Sequence, residues 1–280
     1  MSHVYYSIRK GSNENSQGFQ LTELKELFLR SFNIFLSEGY FDEAFGHYCV
    51  DDGDVPGKIS DIELEILLKV RKKSLWPVST NIDNYSEDDL LDLIEFLHNN
   101  VSMPIDGTYH SWGDCGMHWE TFNQSQGQYD FRKKMNELLN LYHKSFILDQ
   151  TGYILVKAEE GFEQIFDADI PTDNPDITSR LESSILSFRR HGSTIVDRRN
   201  AVRDLSDVLE YLRPKVKTLL TKKDEKDLFE IANNFGIRHH NDKQKTNYDS
   251  ALWLSWMFYF YLSTIHVLLR KIDRDKLKEK

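Results

Sequence analysis

The chain has 280 residues, a formal net charge of −10 and two cysteines. The acidic balance argues against a generally basic nucleic-acid surface, and two cysteines are too few for a disulfide framework. We therefore expect a cytoplasmic protein of a reducing compartment, without a secretion signal.

Helical patterns separated by loops predict a predominantly helical N-terminal half. Apolar residues recur at helical spacing over residues 21–35. The sequence Ser60-Asp-Ile-Glu63 predicts a capping box for a helix through about residue 73. Ser86-Glu-Asp-Asp89 predicts a second capped helix through about residue 99.

Residues 101–128 contain glycine, proline and aromatic residues with little periodicity, which predicts an irregular loop. A helix over residues 130–144 is expected to follow. Two apolar runs within residues 146–156, around a turn containing Gly152, predict a β-hairpin. The acidic, proline-containing stretch 167–176 is predicted to be a linker.

Four helical patterns with short connections follow the linker and predict a four-helix bundle. They run over about 177–190, 194–212, 223–236 and 249–271, and Pro214 is expected to lie beyond the second helix. The predicted fold is therefore mainly α, with an N-terminal domain over residues 1–170 that is predominantly helical and has a small β-hairpin. The C-terminal bundle is predicted to span residues 176–280.

The last helical pattern contains twenty residues without a formal charge, from Ser250 to Leu269, which is the length that a bilayer requires. Polar residues inside it, such as Ser263 and His266, and aromatic residues spread through its middle favour a buried core helix. Such a helix is covered by its own bundle on one side and by a second copy on another. We therefore predict a homodimer through the C-terminal bundle and no membrane association; a tail anchor is the alternative.

The segment over residues 235–244 carries the strongest site chemistry, namely Arg238, His239, His240, Asn241 and Gln244. Arginine binds oxyanions through a fixed fork of donors, and histidine transfers protons near neutral pH. These side chains are therefore candidates for holding and deprotonating an RNA 2′-hydroxyl, with two copies meeting across the dimer. The alternative is a polar loop that caps the helices on either side.

A local basic strip lies in the otherwise acidic chain. Residues 189–223 hold ten lysines and arginines against four acidic residues. Arg198, Arg199 and Arg203 of this strip are candidates for RNA binding. A solvated helix face is the alternative interpretation.

Cysteines and histidines suggest a second, weaker site. Cys115 and His118 have the i, i+3 spacing of a metal-binding pair, and His47, Cys49 and His110 are available to complete a tetrahedral zinc site. Closed zinc sites usually contain two well-spaced pairs, whereas the upstream pair here has one intervening residue. Ordinary loop packing is therefore the favoured interpretation, and no cofactor is expected.

Other catalytic patterns find no support in the sequence. It contains neither a phosphate-binding glycine loop nor the glycine-centred serine elbow of hydrolases. Acidic pairs such as Asp51-Asp52 lie where turns favour acids, and we interpret them as solvated.

The four-helix pattern and the sequence Ile237-Arg-His-His-Asn241 resemble the HEPN superfamily, in particular the HEPN-type C-terminal modules of bacterial abortive-infection and antiphage defence proteins. The resemblance covers about residues 176–275, with supporting stretches at 197–205, 227–235 and 253–266. It implies an all-α bundle that dimerises and, in active members, cleaves RNA without a metal. The N-terminal portion looks like an accessory domain with a sensing or regulatory role.

The family signature is an arginine, often followed by a polar residue, and then a histidine about five to seven positions after the arginine. Arg238 matches the arginine and His239 the polar position, whereas residues 243–245 are lysine, glutamine and lysine. Two alternatives follow. In one, His240 acts from a different register in a metal-independent endoribonuclease; in the other, the module is a catalytically inactive dimerisation or adaptor protein. A partner protein from a defence operon is also expected.

Overall fold

A computed structural model describes residues 4–13, 18–158, 161–166, 168–219, 221–234, 237 and 249–278. The chain is mainly helical, as predicted. It divides into two compact units, Met1–Leu155 and Val156–Lys280, and each unit has its own hydrophobic core. By this division the predicted linker, residues 167–176, lies in the second unit, and its Ile170 packs against the core of that unit.

In its described residues, the N-terminal unit consists of short and long helices interrupted by three two-stranded sheets. Its elements in chain order are α1 (Tyr6–Lys10), α2 (Leu21–Ser37), α3 (Asp42–Phe45), β1 (His47–Cys49), β2 (Gly53–Val55), α4 (Ile62–Lys69), α5 (Val78–Asn81), α6 (Glu87–Asn100), β3 (Met103–His110), β4 (Gly116–Asn123), α7 (Gln124–Leu139), β5 (Phe146–Leu148) and β6 (Ile154–Val156).

The core of this unit lies among α2, α6 and α7 and is rich in phenylalanine. Phe28 and Phe32 of α2 stack on each other, and Phe35 meets Phe131 of α7 edge-on with ring centroids 5.3 Å apart. Edge-to-face contacts of this kind stabilise aromatic pairs by about 0.5–1.5 kcal/mol beyond the area that they bury. The helical periodicity of residues 21–35 therefore marks a true core face.

The two predicted capping boxes had different outcomes. Ser86 caps α6 as predicted, since its hydroxyl accepts from the Asp89 N–H while the Asp89 carboxylate accepts from the Ser86 N–H. The box at Ser60 was wrong, because Asp61 caps α4 through a hydrogen bond from the Leu64 N–H, and α4 ends at Lys69. Asp is as good a cap as Ser, so the adjacent residue competes for the position.

The irregular loop predicted for residues 101–128 was wrong. Strands β3 and β4, of eight residues each, form an antiparallel hairpin there, closed by a 3₁₀ turn over Trp112–Asp114, and α7 begins at Gln124. No residue of either strand is buried. The alternation of apolar and polar residues that normally reveals a strand requires one buried face, and this hairpin has none.

The hairpin predicted within residues 146–156 is confirmed as β5 and β6. Its turn contains Gly152 in the left-handed region at φ +88°, and a Cβ at this position would lie 2.5 Å from the His98 ring. The Asn136 side chain donates to the Leu148 carbonyl and accepts from the Leu148 N–H, which fixes β5 against α7.

The C-terminal unit begins with the last residue of β6 and continues with helices around one core. These are α8 (Glu163–Phe166), α9 (Pro175–Arg189), α10 (Ile195–Leu219), α11 (Lys222–Asn234) and α12 (Ser250–Lys278). Helix α10 packs against α9, α11 and α12. Phe188 of α9 stacks on Phe258 of α12 with ring centroids 3.9 Å apart, so the bundle closes around aromatic side chains.

Helix α10 does not end before Pro214, as the sequence predicted, but includes it. Proline removes one backbone donor and normally kinks or ends a helix. Here Arg213 donates to Glu225 of α11 at 2.8 Å and lies over the Phe229 ring, so packing against α11 holds the helix beyond the proline.

Helix α12 is, by length and composition, the single helix in the described ranges that could cross a membrane. Of its apolar window, 61 % is buried inside the protein. Leu254, Phe258 and Leu262 are fully buried among the other helices of the unit. A core helix and a membrane span both meet the criteria of length and composition, so the choice between them stays a prediction.

Candidate functional site

The predicted catalytic segment falls largely outside the described residues. Arg238, His239, His240, Asn241 and Gln244 all lie there, and the structure places none of them. Ile237, which directly precedes Arg238, is described; it is buried in the hydrophobic core of the C-terminal unit. The chain is therefore anchored at the entrance to this segment.

The α10 arginines occupy three different environments. Arg203 donates through Nε to the carbonyl oxygen of Ile237 at 3.2 Å. The Arg198 guanidinium lies 5.2 Å from the centre of the Phe188 ring, in a cation–π contact. The Nε atom of Arg199 is buried and has no hydrogen-bond partner among the described residues.

Acidic side chains accompany these arginines. Burial, and then the neighbouring Asp207, raise the pKa of Asp204, while Arg180 and Arg203 act in the opposite direction. At the start of α10, Asp197 accepts from Thr194 and pairs with Arg190 at 2.9 Å. The basic strip is therefore partly neutralised by acidic side chains at Asp197 and Asp204.

Cysteines and histidines meet at the tips of two hairpins in the N-terminal unit. Cys49 ends β1, while His110, Cys115 and His118 surround the turn between β3 and β4. One donor atom from each of these four side chains lies within 4.8 Å of the corresponding atom of every other. The structure thus brings together four of the five residues that the sequence offered as zinc ligands.

Two contacts define the centre of this Cys₂His₂ cluster, by which we mean Cys49, His110, Cys115 and His118. The Cys49 Sγ lies 3.8 Å from the His110 Nδ1, and the Cys115 Sγ lies 3.1 Å from the His118 Nε2. Cys49 is buried, and the other three are half-buried. Both cysteines are free thiols.

The surroundings of the Cys₂His₂ cluster orient its members. The second ring nitrogen of His110, Nε2, lies 3.1 Å from the carboxylate of Asp51. The backbone N–H of the same Asp51 donates to the Cys49 Sγ at 3.4 Å. Asp51 was interpreted as a solvated turn residue, but it contacts two members of the cluster.

His47 lies beside the Cys₂His₂ cluster but does not belong to it. Its ring stacks obliquely on His118 with centroids 4.7 Å apart, and its buried Nε2 has no hydrogen-bond partner among the described residues. Burial raises the pKa of the neighbouring Asp42, against the influence of His47 and His118. His47 therefore packs on His118 from outside the Cys₂His₂ cluster.

Comparison with known proteins adds no family to these observations. No protein-family model, no curated protein and no solved structure matches the chain. The resemblance to the HEPN superfamily therefore stays a prediction that rests on the residues named for it.

Proposed function

We propose that the chain is a HEPN-like protein of bacterial antiphage defence or toxin type, and that its C-terminal unit acts on RNA. Arg238 would bind the scissile phosphate, and His239 or His240 would act as general base or acid. Asn241 and Gln244 would orient these groups. The acidic N-terminal unit would sense a signal or restrain the activity rather than bind nucleic acid.

The proposed reaction needs no metal or cofactor. One histidine accepts the proton of an RNA 2′-hydroxyl, and the 2′-oxygen attacks the adjacent phosphorus. The bond from phosphorus to the 5′-oxygen breaks, and the second histidine donates a proton to that oxygen. Arg238 stabilises the charge that develops on the phosphoryl oxygens. The products are a 2′,3′-cyclic phosphate and a free 5′-hydroxyl.

The observation that carries this proposal is the hydrogen bond from Arg203 to the Ile237 carbonyl. It links the predicted RNA-binding helix to the residue that precedes Arg238. An RNA phosphate near Arg238 would therefore lie on the side of the bundle where Arg203 is.

The proposed dimer is supported by an apolar stripe on α12. Leu252, Trp256, Phe260 and Val267 are exposed at helical spacing and line a groove of about 630 Å³. Exposed apolar patches of this kind commonly mark an interface. A second copy presenting the same stripe would cover it on both molecules. A monomer at micromolar concentration in light scattering would contradict this proposal, as would extraction of the chain with membranes.

A non-enzymatic adaptor is the second candidate function. It is favoured by one specific observation, the lysine, glutamine and lysine at residues 243–245, where the family signature has its histidine. In this case the segment around Arg238 would cap helices and bind RNA or a partner without cleaving it.

Incubation of the pure full-length protein with total RNA, with and without a chelator, tests the proposal. We expect cleavage that survives chelation and is lost in Arg238→Ala and in His240→Ala. Arg30→Ala, which alters an exposed arginine of α2, is the matched control and should cleave normally. Cleavage by Arg238→Ala at the normal rate overturns the catalytic assignment. RNA binding without cleavage in every variant indicates the adaptor.

A further inference from the structure

We propose that Cys49, His110, Cys115 and His118 form a structural zinc site that joins the tips of the β1/β2 and β3/β4 hairpins. This inference goes beyond the RNA-directed function and does not depend on it. It also departs from the ordinary loop packing that the spacing of the residues favoured.

The donor set selects the metal. Two thiolates and two imidazoles in tetrahedral array are a typical zinc site, whereas magnesium and calcium require oxygen ligands. Zinc–sulfur bonds of about 2.3 Å and zinc–nitrogen bonds of about 2.0–2.1 Å place neighbouring ligand atoms roughly 3.3–3.8 Å apart. The measured separations of 3.1 and 3.8 Å, with none above 4.8 Å, therefore match a tetrahedron after small side-chain adjustments.

Two contacts of the Cys₂His₂ cluster, both made by Asp51, are of the kind that zinc ligands use. A histidine bound through Nδ1 commonly donates its other N–H to a carboxylate, and the His110 Nε2 faces Asp51 at 3.1 Å. Hydrogen bonds to the sulfur atom stabilise a thiolate, and the Asp51 N–H donates to the Cys49 Sγ. One residue thus supports a sulfur ligand through its backbone and a nitrogen ligand through its side chain.

The hairpins have a structural need for such a site. None of the residues 103–123, all of which the structure describes, belongs to the buried core of the N-terminal unit. Trp119 packs against Gly39 further down the hairpin, and at the tip Gly113 lies against the Val50 side chain of the other hairpin. A metal bound to both tips would supply the cohesion that apolar burial supplies elsewhere.

The site is structural rather than catalytic. Four protein ligands fill a tetrahedral coordination sphere and leave no position for water or substrate. Zinc therefore fixes the relative position of the two hairpins. In the metal-free protein we expect the tips to separate, because the thiols and imidazoles then have only weak contacts with each other.

Metal analysis of the purified full-length protein tests the site directly. We expect about one zinc per chain, with most of it lost in Cys49→Ser and in Cys115→Ser. His143→Asn, which alters an exposed histidine of the same unit, is the control and should retain zinc. Replacement of zinc by Co²⁺ should give the visible absorption of a tetrahedral site together with a thiolate charge-transfer band.

A second variant separates loss of the site from loss of folding. Asp51→Asn keeps the shape of the side chain and all four ligands, and we expect it to weaken zinc binding by about 10–100-fold in a competition titration. Absence of metal from protein purified under reducing conditions, together with no Co²⁺ spectrum, overturns the proposal. Stoichiometric iron in place of zinc, or a native disulfide between the two cysteines, also overturns it.

Discussion

Two of the hairpins in the N-terminal unit, β5/β6 and β3/β4, differ in what stabilises them. In β5/β6 the strands have three residues each, yet Phe146, Leu148 and Ile154 are buried in the core. In β3/β4 the strands have eight residues each, and none is buried. The length of a hairpin therefore does not indicate how firmly it packs on the core, since the longer hairpin has no buried residue in its strands.

Polar contacts extend the same contrast. β5 is fixed by the Asn136 side chain, and the Ile154 N–H of β6 donates to the Glu95 carboxylate. The tip of β3/β4 instead carries the Cys₂His₂ cluster, whose four side chains are the proposed ligands of a metal. One hairpin is thus stabilised from within the core, and the other would be stabilised by a bound ion. The two should respond to different perturbations.

The largest expected effect follows from truncating a core side chain of the β5/β6 hairpin. Leu148→Ala removes a side chain with no exposed surface, and we expect it to lower the free energy of unfolding by about 2–5 kcal/mol. Ile105→Ala in β3 is the matched control, because this apolar side chain is 55 % exposed and should cost less than about 0.5 kcal/mol. Urea unfolding followed by circular dichroism measures both. Equal costs for the two variants would remove the contrast between the hairpins.

An intermediate effect is expected from removing zinc. At free zinc of about a hundred times the dissociation constant, binding stabilises the folded state by about 2.7 kcal/mol, which a chelator would abolish. Hydrogen exchange should show the loss of protection in residues 103–118, whereas residues 146–156 should stay protected. Cys115→Ser should reproduce the effect without chelator. Loss of protection in both hairpins together would mean that the metal supports the whole unit and not one hairpin.

The sequence predicted the elements that bury one face. The structure contains the apolar stripe of residues 21–35, the Ser86 cap and the four C-terminal helices. Amphipathic helices can be predicted because their core-facing residues recur at helical spacing in the sequence. The hairpin β3/β4 was missed for the converse reason. With both faces partly solvated, its sequence has no apolar alternation, and its register depends on pairing that no local pattern encodes.

The candidate metal site was half predictable. The i, i+3 spacing of Cys115 and His118 is a local signal, whereas Cys49 lies more than sixty residues away and reaches the cluster only because two hairpin tips meet. The contact between Asp51 and His110 could not be predicted for the same reason. The sequence around Asp51 is that of an ordinary turn, and it does not show which distant histidine the carboxylate meets. Non-local pairing, rather than residue chemistry, was the missing information.

The smallest expected effect concerns pH and the buried hairpin. Burial raises the pKa of Glu95 from 4.5 to about 7; the Ile154 N–H acts against this shift, while Asp92 and Asp149 add to it. The folded state thus binds the Glu95 proton more tightly than the unfolded state does. The stability that this gives is fully present below about pH 4.5 and is lost as the pH rises through about 7.

We expect Glu95 to contribute a fall of roughly 1 kcal/mol in unfolding free energy between about pH 4.5 and about pH 8, because water screens a side chain that is only half-buried. Glu95→Gln should remove this part of the pH dependence, since glutamine still accepts the Ile154 N–H without titrating. Glu63→Gln, which alters an exposed residue of α4, is the control and should leave the profile unchanged. If the Glu95→Gln profile follows the parent chain, the carboxylate is already charged in the folded protein at neutral pH. The anchorage of β6 would then be an ordinary charged hydrogen bond, and the contrast with the β3/β4 hairpin would rest on apolar burial alone.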